Sequence, residues 1–191
     1  MPDSFAKNGI TTETLKNVLI DDAVIYINYG ETTGEKILSA TKGGVKFLVN
    51  REYRDIEVDG ARGVIKGLRR IIKESASIEG SLLEVKLATI QAMLPGTSTA
   101  NYPTATPTHD EISSTGQIKE TDYFKNIAVV GKISGSDKPF VGIIYNAIGE
   151  SDFAIDCKDK DEATLDTKFI ATFDPTNLTS SIWKIRLPKI V

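Results

Sequence analysis

The sequence predicts a mainly β fold: a single domain built as a two-sheet β-sandwich or half-barrel, with one short α-helix packed against it. Seven or eight runs rich in β-branched and aromatic residues are separated by turns that contain Gly, Pro, Asn or Asp. Only one stretch has apolar residues at helical spacing, and no repeat period is visible. A chain of 191 residues is long enough for one domain with a full core.

The amino-acid composition predicts the first elements of the chain, up to residue 44. Residues 1–20 are polar with scattered apolar positions, and we expect an N-terminal arm that becomes ordered on assembly. Residues 23–29 form a strand by β-propensity, which ends at Gly30. A loop with several Gly and Thr residues then leads to the double glycine Gly43-Gly44.

Residues 45–58 predict a long strand that ends at the turn Asp59-Gly60. Neither face of this strand is purely apolar, so the strand does not simply cover the hydrophobic core of its own subunit. One face carries Phe47, Val49, Arg51, Tyr53, Asp55 and Glu57, and the other Lys46, Leu48, Asn50, Glu52, Arg54, Ile56 and Val58.

Residues 69–83 predict the next long strand. Alternation assigns Ile72, Ala76 and Ile78 to the core, with Glu74 as the exception on that face. The opposite face carries Lys73, Ser75, Ser77 and Glu79, which we expect to be solvated.

One amphipathic helix is predicted by the spacing of Leu83, Leu87, Ile90 and Leu94. Pro95-Gly96 ends it. Residues 97–121 are rich in Ser, Thr and Pro and show no period, so they predict an exterior insertion without secondary structure.

The second half predicts four strands, at residues 123–133, 140–148, 164–173 and 181–187. Turns are expected at 136–139 and 174–177. The stretch 156–162 is acidic.

Charge and composition exclude several classes of function. The net charge of −3 and the pI of about 5.3 argue against binding duplex DNA by neutralising phosphates. No apolar run approaches the roughly 18 residues that span a bilayer, so we expect no membrane association. Without an apparent secretory signal, the single Cys157 fits a protein made in a reducing cytoplasm.

The sequence offers little for catalysis or for a cofactor. The single His109 lies in the Ser/Thr/Pro-rich insertion without a partner for acid–base chemistry. One His and one Cys do not make a zinc site. The carboxylates of Asp156, Asp159, Asp161 and Glu162 lack the spacing of a calcium loop and predict a solvated hairpin tip. We therefore expect a protein that is not an enzyme and has no cofactor or metal.

One motif resembles a known family. The run of residues 40–73, with K-G-G followed by R-D-I-E-V-D-G-A-R-G-V-I-K-G-L-R-R, is similar to a run in the major tail (tail tube) proteins of tailed bacteriophages. Weaker similarities involve residues 25–31, 82–84, 94–96, 169–174 and 183–185, in the order that the family has them. The resemblance implies the phage tail tube type of sandwich, with residues 31–62 as a long stacking loop.

The resemblance also implies a structural role in the virion tail. Six copies would form a ring, and rings would stack into a tube through which DNA passes without specific binding. Partners would be further copies and the tape-measure, tail terminator and baseplate proteins. The residues implied at subunit and ring contacts are Lys42, Gly43, Gly44, Arg51, Glu52, Arg54, Asp55, Glu57, Asp59 and Arg62.

The lumen is expected to be net negative, because a basic lining would hold the phosphates of passing DNA. We assign to it the face of Lys73, Ser75, Ser77 and Glu79.

Two alternatives stay open. Within the same class, the tube could belong to a contractile particle or to a tail-derived bacteriocin. From another class, the chain could be a carbohydrate- or protein-binding β-sandwich that uses residues 97–121 as a recognition loop. That loop contains only one aromatic residue, Tyr102, whereas recognition surfaces favour several.

Overall fold

The mainly β fold is confirmed. A computed structural model describes residues 9–11, 13–155, 157 and 159–189. Within these ranges the strands are β1 (Leu19–Ile27), β2 (Lys36–Ile37), β3 (Thr41–Asp55), β4 (Arg69–Leu82), β5 (Thr97–Tyr102), β6 (His109–Ser114), β7 (Phe124–Ile133), β8 (Phe140–Gly149), β9 (Leu165–Ile170) and β10 (Trp183–Arg186). The helix α1 is Leu87–Met93.

Eight strands form one continuous sheet in the order β2-β1-β7-β8-β9-β4-β3, with β10 also paired to β8. All strand pairs are antiparallel. The strand β8 is where the sheet divides into two layers. Its first part pairs with β7 and β10, whereas Ile148 and Gly149 at its end pair with β9.

The two layers face each other across the core. A Cβ atom at Gly142 of β8 would lie 2.9 Å from the ring of Phe47 on β3, so the absence of a side chain there lets the ring rest on the β8 backbone. The sheet curls until the start of β3 meets β1, where Thr41 Oγ1 donates a hydrogen bond to Ala23 O over 3.3 Å. The architecture is therefore a half-barrel with a sandwich core.

The core contains apolar side chains from both layers and from the helix. Its members include Ile25, Ile27, Ile78, Leu82, Met93, Ile127, Ile144, Leu165 and Phe169, none more than 1% exposed. Burying each such side chain contributes about 1.5–3 kcal/mol.

The predicted helix exists, but its bounds and its buried face differ from the prediction. Leu83 precedes it in extended backbone, and the buried residues are Thr89, Ala92 and Met93. Ile90 and Leu94 are only half-buried. The helix ends before Pro95-Gly96 as predicted, and Gly96 takes a positive φ of 71°. A Cβ at Gly96 would also lie 2.9 Å from Gln117 O, so this position requires glycine.

Two face assignments on β4 were wrong. Ile72 is 60% exposed, because this part of the hairpin extends beyond the core: the adjacent Ile71 is 52% exposed as well. A register shift also leaves Ile72 without a direct partner, since Glu52 pairs with Lys73 and Tyr53 with Ile71. Ser77 is only 8% exposed, because β4 is flanked by β3 and β9 and the small hydroxymethyl group lies between Leu48 and Ile170 in the register. Ala76 and Ile78 are buried as predicted.

The insertion is not structureless. Residues 97–114 form a separate two-stranded hairpin, β5–β6, in which Ser98 Oγ and Ser113 Oγ are 3.0 Å apart. Thr and Ser tolerate extended backbone and form cross-strand hydrogen bonds, so a polar hairpin forms without an apolar period. Its residues are mostly exposed, in agreement with an exterior position.

The expected N-terminal arm, residues 1–20, is described only in part, because residues 1–8 and 12 lie outside the described ranges. Its last residues belong to the body: Leu19 and Ile20 pair with β7. The four predicted strands of the second half are β7, β8, β9 and β10, of which the last two are shorter than predicted.

Candidate interaction surface

The far end of the β3–β4 hairpin extends beyond the core. We call residues 50–73 the ribbon; none of them is buried. Seven large apolar residues of the ribbon are 37–65% exposed: Tyr53, Ile56, Val58, Val64, Ile65, Ile71 and Ile72. An exposed apolar set of this size is more typical of an interaction surface than of a solvated loop.

A cluster at the base of the ribbon attaches it to the last strand of the body. Arg51 Nε donates a hydrogen bond to Glu74 Oε1 over 2.7 Å, and Trp183 Nε1 donates to the same oxygen over 3.1 Å. The guanidinium of Arg51 lies 5.3 Å from the centroid of the Trp183 ring. The hydrogen bond from Arg51, followed by that from Trp183, holds the pKa of Glu74 below its usual range.

Three residues predicted at subunit contacts are paired inside the ribbon or at its base. Arg51 pairs with Glu74, Glu52 with Lys73 over 3.2 Å, and Asp55 with Arg69 through two hydrogen bonds of 2.8 and 3.0 Å. The hydrogen bond from Arg69 holds the pKa of Asp55 below its ordinary value. These pairs order the ribbon itself.

Arg54 has a different environment. It lies directly opposite Arg70 in the register, and like charges in this position destabilise a hairpin. Arg70 Nη1 donates a hydrogen bond to Gly67 O over 3.2 Å, but neither arginine has a carboxylate partner among the described residues. The ribbon therefore presents two adjacent, uncompensated guanidinium groups.

The loop that joins the two ribbon strands, residues 56–68, contains the other predicted contact residues of this end. Glu57, Asp59 and Arg62 are exposed, and no ion pair joins them to any described residue. Together the residues of the ribbon include seven basic and four acidic side chains, a net charge of +3 on a chain whose total is −3.

The other predicted contact residues lie at the opposite end of β3. Lys42 Nζ donates hydrogen bonds to Asp161 over 2.7 Å and to Glu162 over 2.9 Å. These bonds raise the pKa of Lys42 and lower the pKa of both carboxyl groups. The acidic stretch is therefore not only a solvated tip, since two of its members bind the start of β3.

Beside Lys42 lies an open groove of about 750 Å³. Gly43 and Gly44, both at positive φ with no atom near a notional Cβ, line one part of it. Glu150, Asp152, Asp166 and Lys168 line the other part. Lys168 pairs with Glu150 over 2.5 Å, whereas Asp152 and Asp166 have no cation partner among the residues that the structure describes. Sequence reasoning missed these two carboxylates because they lie on either side of the acidic stretch 156–162 and not within it.

The residues assigned to the lumen lie along β4. Lys73 and Ser75 are exposed, Glu79 is half-buried and Ser77 is buried. In the register Glu79 lies between Lys46 on β3 and Lys168 on β9. This face begins at the Glu52–Lys73 pair and ends at Asp166, which accepts a hydrogen bond from Ser81. With these residues included, it carries three lysines and three carboxylates. It is thus charge-balanced rather than acidic.

Within the described residues no group of three or more His, Cys, Asp or Glu side chains could hold a metal ion. His109 is exposed on the hairpin, where its Nδ1 lies 2.8 Å from Thr108 Oγ1. In the same part of the chain, no helix has the length and apolar character needed to cross a membrane.

Comparison with known proteins gives matches to solved structures alone. The chain is similar to a chain in the tail of an empty gene transfer agent particle, computed with helical refinement and C6 symmetry: 12% identity over 80% of this chain and 92% of that one, TM-score 0.40. It is also similar to a chain in the virion of a native gene transfer agent particle: 13% identity over 87% and 96%, TM-score 0.44. No protein-family model and no curated protein sequence matches it. Likenesses of this size assign neither a family nor a function.

Proposed function

We propose that the chain is a non-enzymatic structural subunit of a phage-type tail tube, which assembles as hexameric rings stacked around a lumen for DNA. The observation that carries the proposal is the ribbon. This hairpin extends beyond its own core. Its seven exposed apolar residues have no apolar cover, and its two facing arginines have no carboxylate partner, among the described residues of the monomer. The sequence motif that resembles the tail tube family lies in this same hairpin.

Ring closure has a physical basis in the sheet. The strand order ends at β3, so the backbone groups on its free edge have no strand partner within the described residues. Such edges lead to uncontrolled association unless a specific neighbour covers them. In a ring, every subunit offers its edge to the next, and the resulting barrel has no free edge.

A lumen lining is proposed for the β4 face that carries Lys73, Ser75 and Glu79. Glu52 lies opposite Lys73, Lys46 lies opposite Glu79, and Lys168 pairs with Glu150, so no basic patch is available to retain phosphates. A duplex would slide past such a face. Tape-measure, terminator and baseplate proteins would be the further partners of this tube, and the tail of the virion its location.

The test is assembly of the purified full chain. Negative-stain microscopy and multi-angle light scattering over a concentration series should show rings of six subunits and tubes of one width. A monomer at all concentrations would refute the proposal. If such a monomer bound glycans through the β5–β6 hairpin, the chain would be a recognition module instead.

A further inference from the structure

The two ends of the β3–β4 hairpin carry opposite charge. The ribbon, with its net charge of +3, lies at the end of β3, and the groove beside Gly43-Gly44 lies at its start. The strand β3 has 15 residues, which at about 3.3 Å per residue separates the two ends by roughly 45 Å. A single chain therefore cannot bring its own ribbon to its own groove.

The segment around the groove is the acidic counterpart of the ribbon. Residues 150–168 contain seven carboxylates and three lysines, a net charge of −4. Four of the carboxylates are compensated by lysines: Glu150 by Lys168, Asp159 by Lys160, and Asp161 and Glu162 by Lys42. Asp152 and Asp166 line the groove, and neither has a lysine or arginine partner among the described residues.

The apolar parts of the two ends also match. Ile71 and Ile72 of the ribbon are 52% and 60% exposed, beside the arginine pair. Next to Asp152, Phe153 is 44% exposed, and Ile155 is 41% exposed. Each end thus combines an excess of unpaired charge, positive on the ribbon and negative at the groove, with large apolar side chains, which is the composition of a specific contact.

We propose that the ribbon of one copy docks in the groove of the next copy, with Arg54 and Arg70 facing Asp152 and Asp166 and with Ile72 near Phe153. The contact is head-to-tail. Since a heterologous contact of this kind does not close on itself along the hairpin axis, it generates a filament. The inference rests on the proposed tube and specifies which surface of the neighbouring ring receives the ribbon.

The first test is charge reversal in the full chain. Arg54→Glu with Arg70→Glu, or Asp152→Lys with Asp166→Lys, should each raise the protein concentration needed for tube growth at least tenfold. The variant that combines all four substitutions should restore growth. The matched control, Asp110→Lys with Asp137→Lys, changes the charge equally at exposed sites away from the groove and should assemble like the parent chain.

Three outcomes separate this inference from the proposed function. If the parent chain forms tubes and groove reversal leaves them unaltered, the docking inference is wrong and the tube proposal stands. If the parent forms rings that never stack, the docking inference fails and ring formation stands. If the parent forms neither, both fail.

A second test remains informative if charge reversal prevents folding. In a Cys157→Ser background, Ile72→Cys with Phe153→Cys should form a disulfide ladder of dimers, trimers and longer species on mild oxidation. The two sites are too far apart within one chain for an internal bond. Ile72→Cys with Lys36→Cys, on β2, is the control and should give no ladder. Equal ladders from both pairs, or none from the first, would overturn the inference.

Discussion

Trp183 Nε1 donates a hydrogen bond to Glu74 Oε1 over 3.1 Å, and this bond joins the last strand of the body to the base of the ribbon. The two residues are 109 positions apart in the chain. The same carboxylate oxygen accepts the hydrogen bond of Arg51, whose guanidinium lies over the Trp183 ring. One carboxylate therefore joins the base of the ribbon to β10.

Glu74→Ala should release the ribbon. The indole N–H loses its acceptor, and a lost partner of this kind costs on the order of 1–3 kcal/mol of unfolding free energy. Hydrogen exchange should accelerate in residues 50–73 relative to β7 and β8. Glu74→Gln, which keeps an acceptor, is the control, and its exchange rates should lie between those of the parent chain and of Glu74→Ala. Equal exchange in all three proteins would contradict the role of Glu74.

Stability should fall in acid. A lowered pKa in the folded chain is shared by four carboxyl groups, those of Asp55, Glu74, Asp161 and Glu162. Their contribution to the stability of the fold is therefore complete above the ordinary carboxyl pKa of about 4, and it is lost as the pH falls through the lower folded values. Thermal midpoints measured from pH 7 to pH 2.5 should stay level to about pH 4.5 and then decrease. A decrease that begins near pH 6 would point to other groups.

Gly142→Ala should destabilise the sandwich by about 1–3 kcal/mol, because the new methyl group meets the Phe47 ring at 2.9 Å. Adding Phe47→Leu should recover part of the loss. Gly63→Ala is the matched control, since no atom lies within 4 Å of its notional Cβ. Urea unfolding of the four proteins measures the difference, and a Gly142 variant as stable as the control would show that the layers adjust freely.

Arg54→Ala and Asp55→Ala should separate two roles of adjacent residues. Asp55 binds Arg69 within the ribbon, so its loss should loosen the ribbon. Arg54 has no such partner in the described chain and lies opposite Arg70, so its loss should leave the circular dichroism spectrum unaltered, should not lower the thermal midpoint, and should suppress tube growth. Unaltered light scattering by the Arg54 variant would contradict a contact role for this residue.

Replacing residues 99–112 with an Asn-Gly turn should keep folding and assembly intact. Among the described residues, β5 and β6 form strand pairs with each other alone. The two ends of the hairpin remain joined by the Ser98–Ser113 contact and by Thr115 Oγ1, which donates a hydrogen bond to Gly96 O over 2.8 Å. Soluble yield and tube width are the measurements. If rings disappear while the shortened chain stays folded, the hairpin is an assembly arm.

The sequence was sufficient to predict the elements that depend on local pattern. The strands β1, β3, β4, β7 and β8 coincide with runs of β-branched residues, and Pro95-Gly96 ends the helix as predicted. The exposure of Ile72 was not predictable, because it depends on how far the hairpin extends beyond the core. The burial of Ser77 depends on which strands flank β4, which is a property of the topology.

The candidate surface was predictable only in part. The charge density of residues 51–62 drew attention to the ribbon. Antiparallel pairing about the predicted turn Asp59-Gly60 would place Asp55 opposite Val64, whereas the structure places it opposite Arg69. The pairing of Lys42 with Asp161 and the contact of Glu74 with Trp183 join residues more than 100 positions apart, and no spacing rule connects them.

The strand order β2-β1-β7-β8-β9-β4-β3 also sets when an emerging chain can fold. The β3–β4 hairpin is local and can form as soon as residue 82 is available, whereas β1 pairs with β7 across about a hundred residues, a separation that slows folding. Pulse-labelled hydrogen exchange during refolding should accordingly protect β3 and β4 before β1. During synthesis the ribbon therefore exists before the groove that would receive it is complete, because Asp166 is translated after most of the sheet. Growth of the proposed tube would then begin only from finished subunits, which would delay it until after translation.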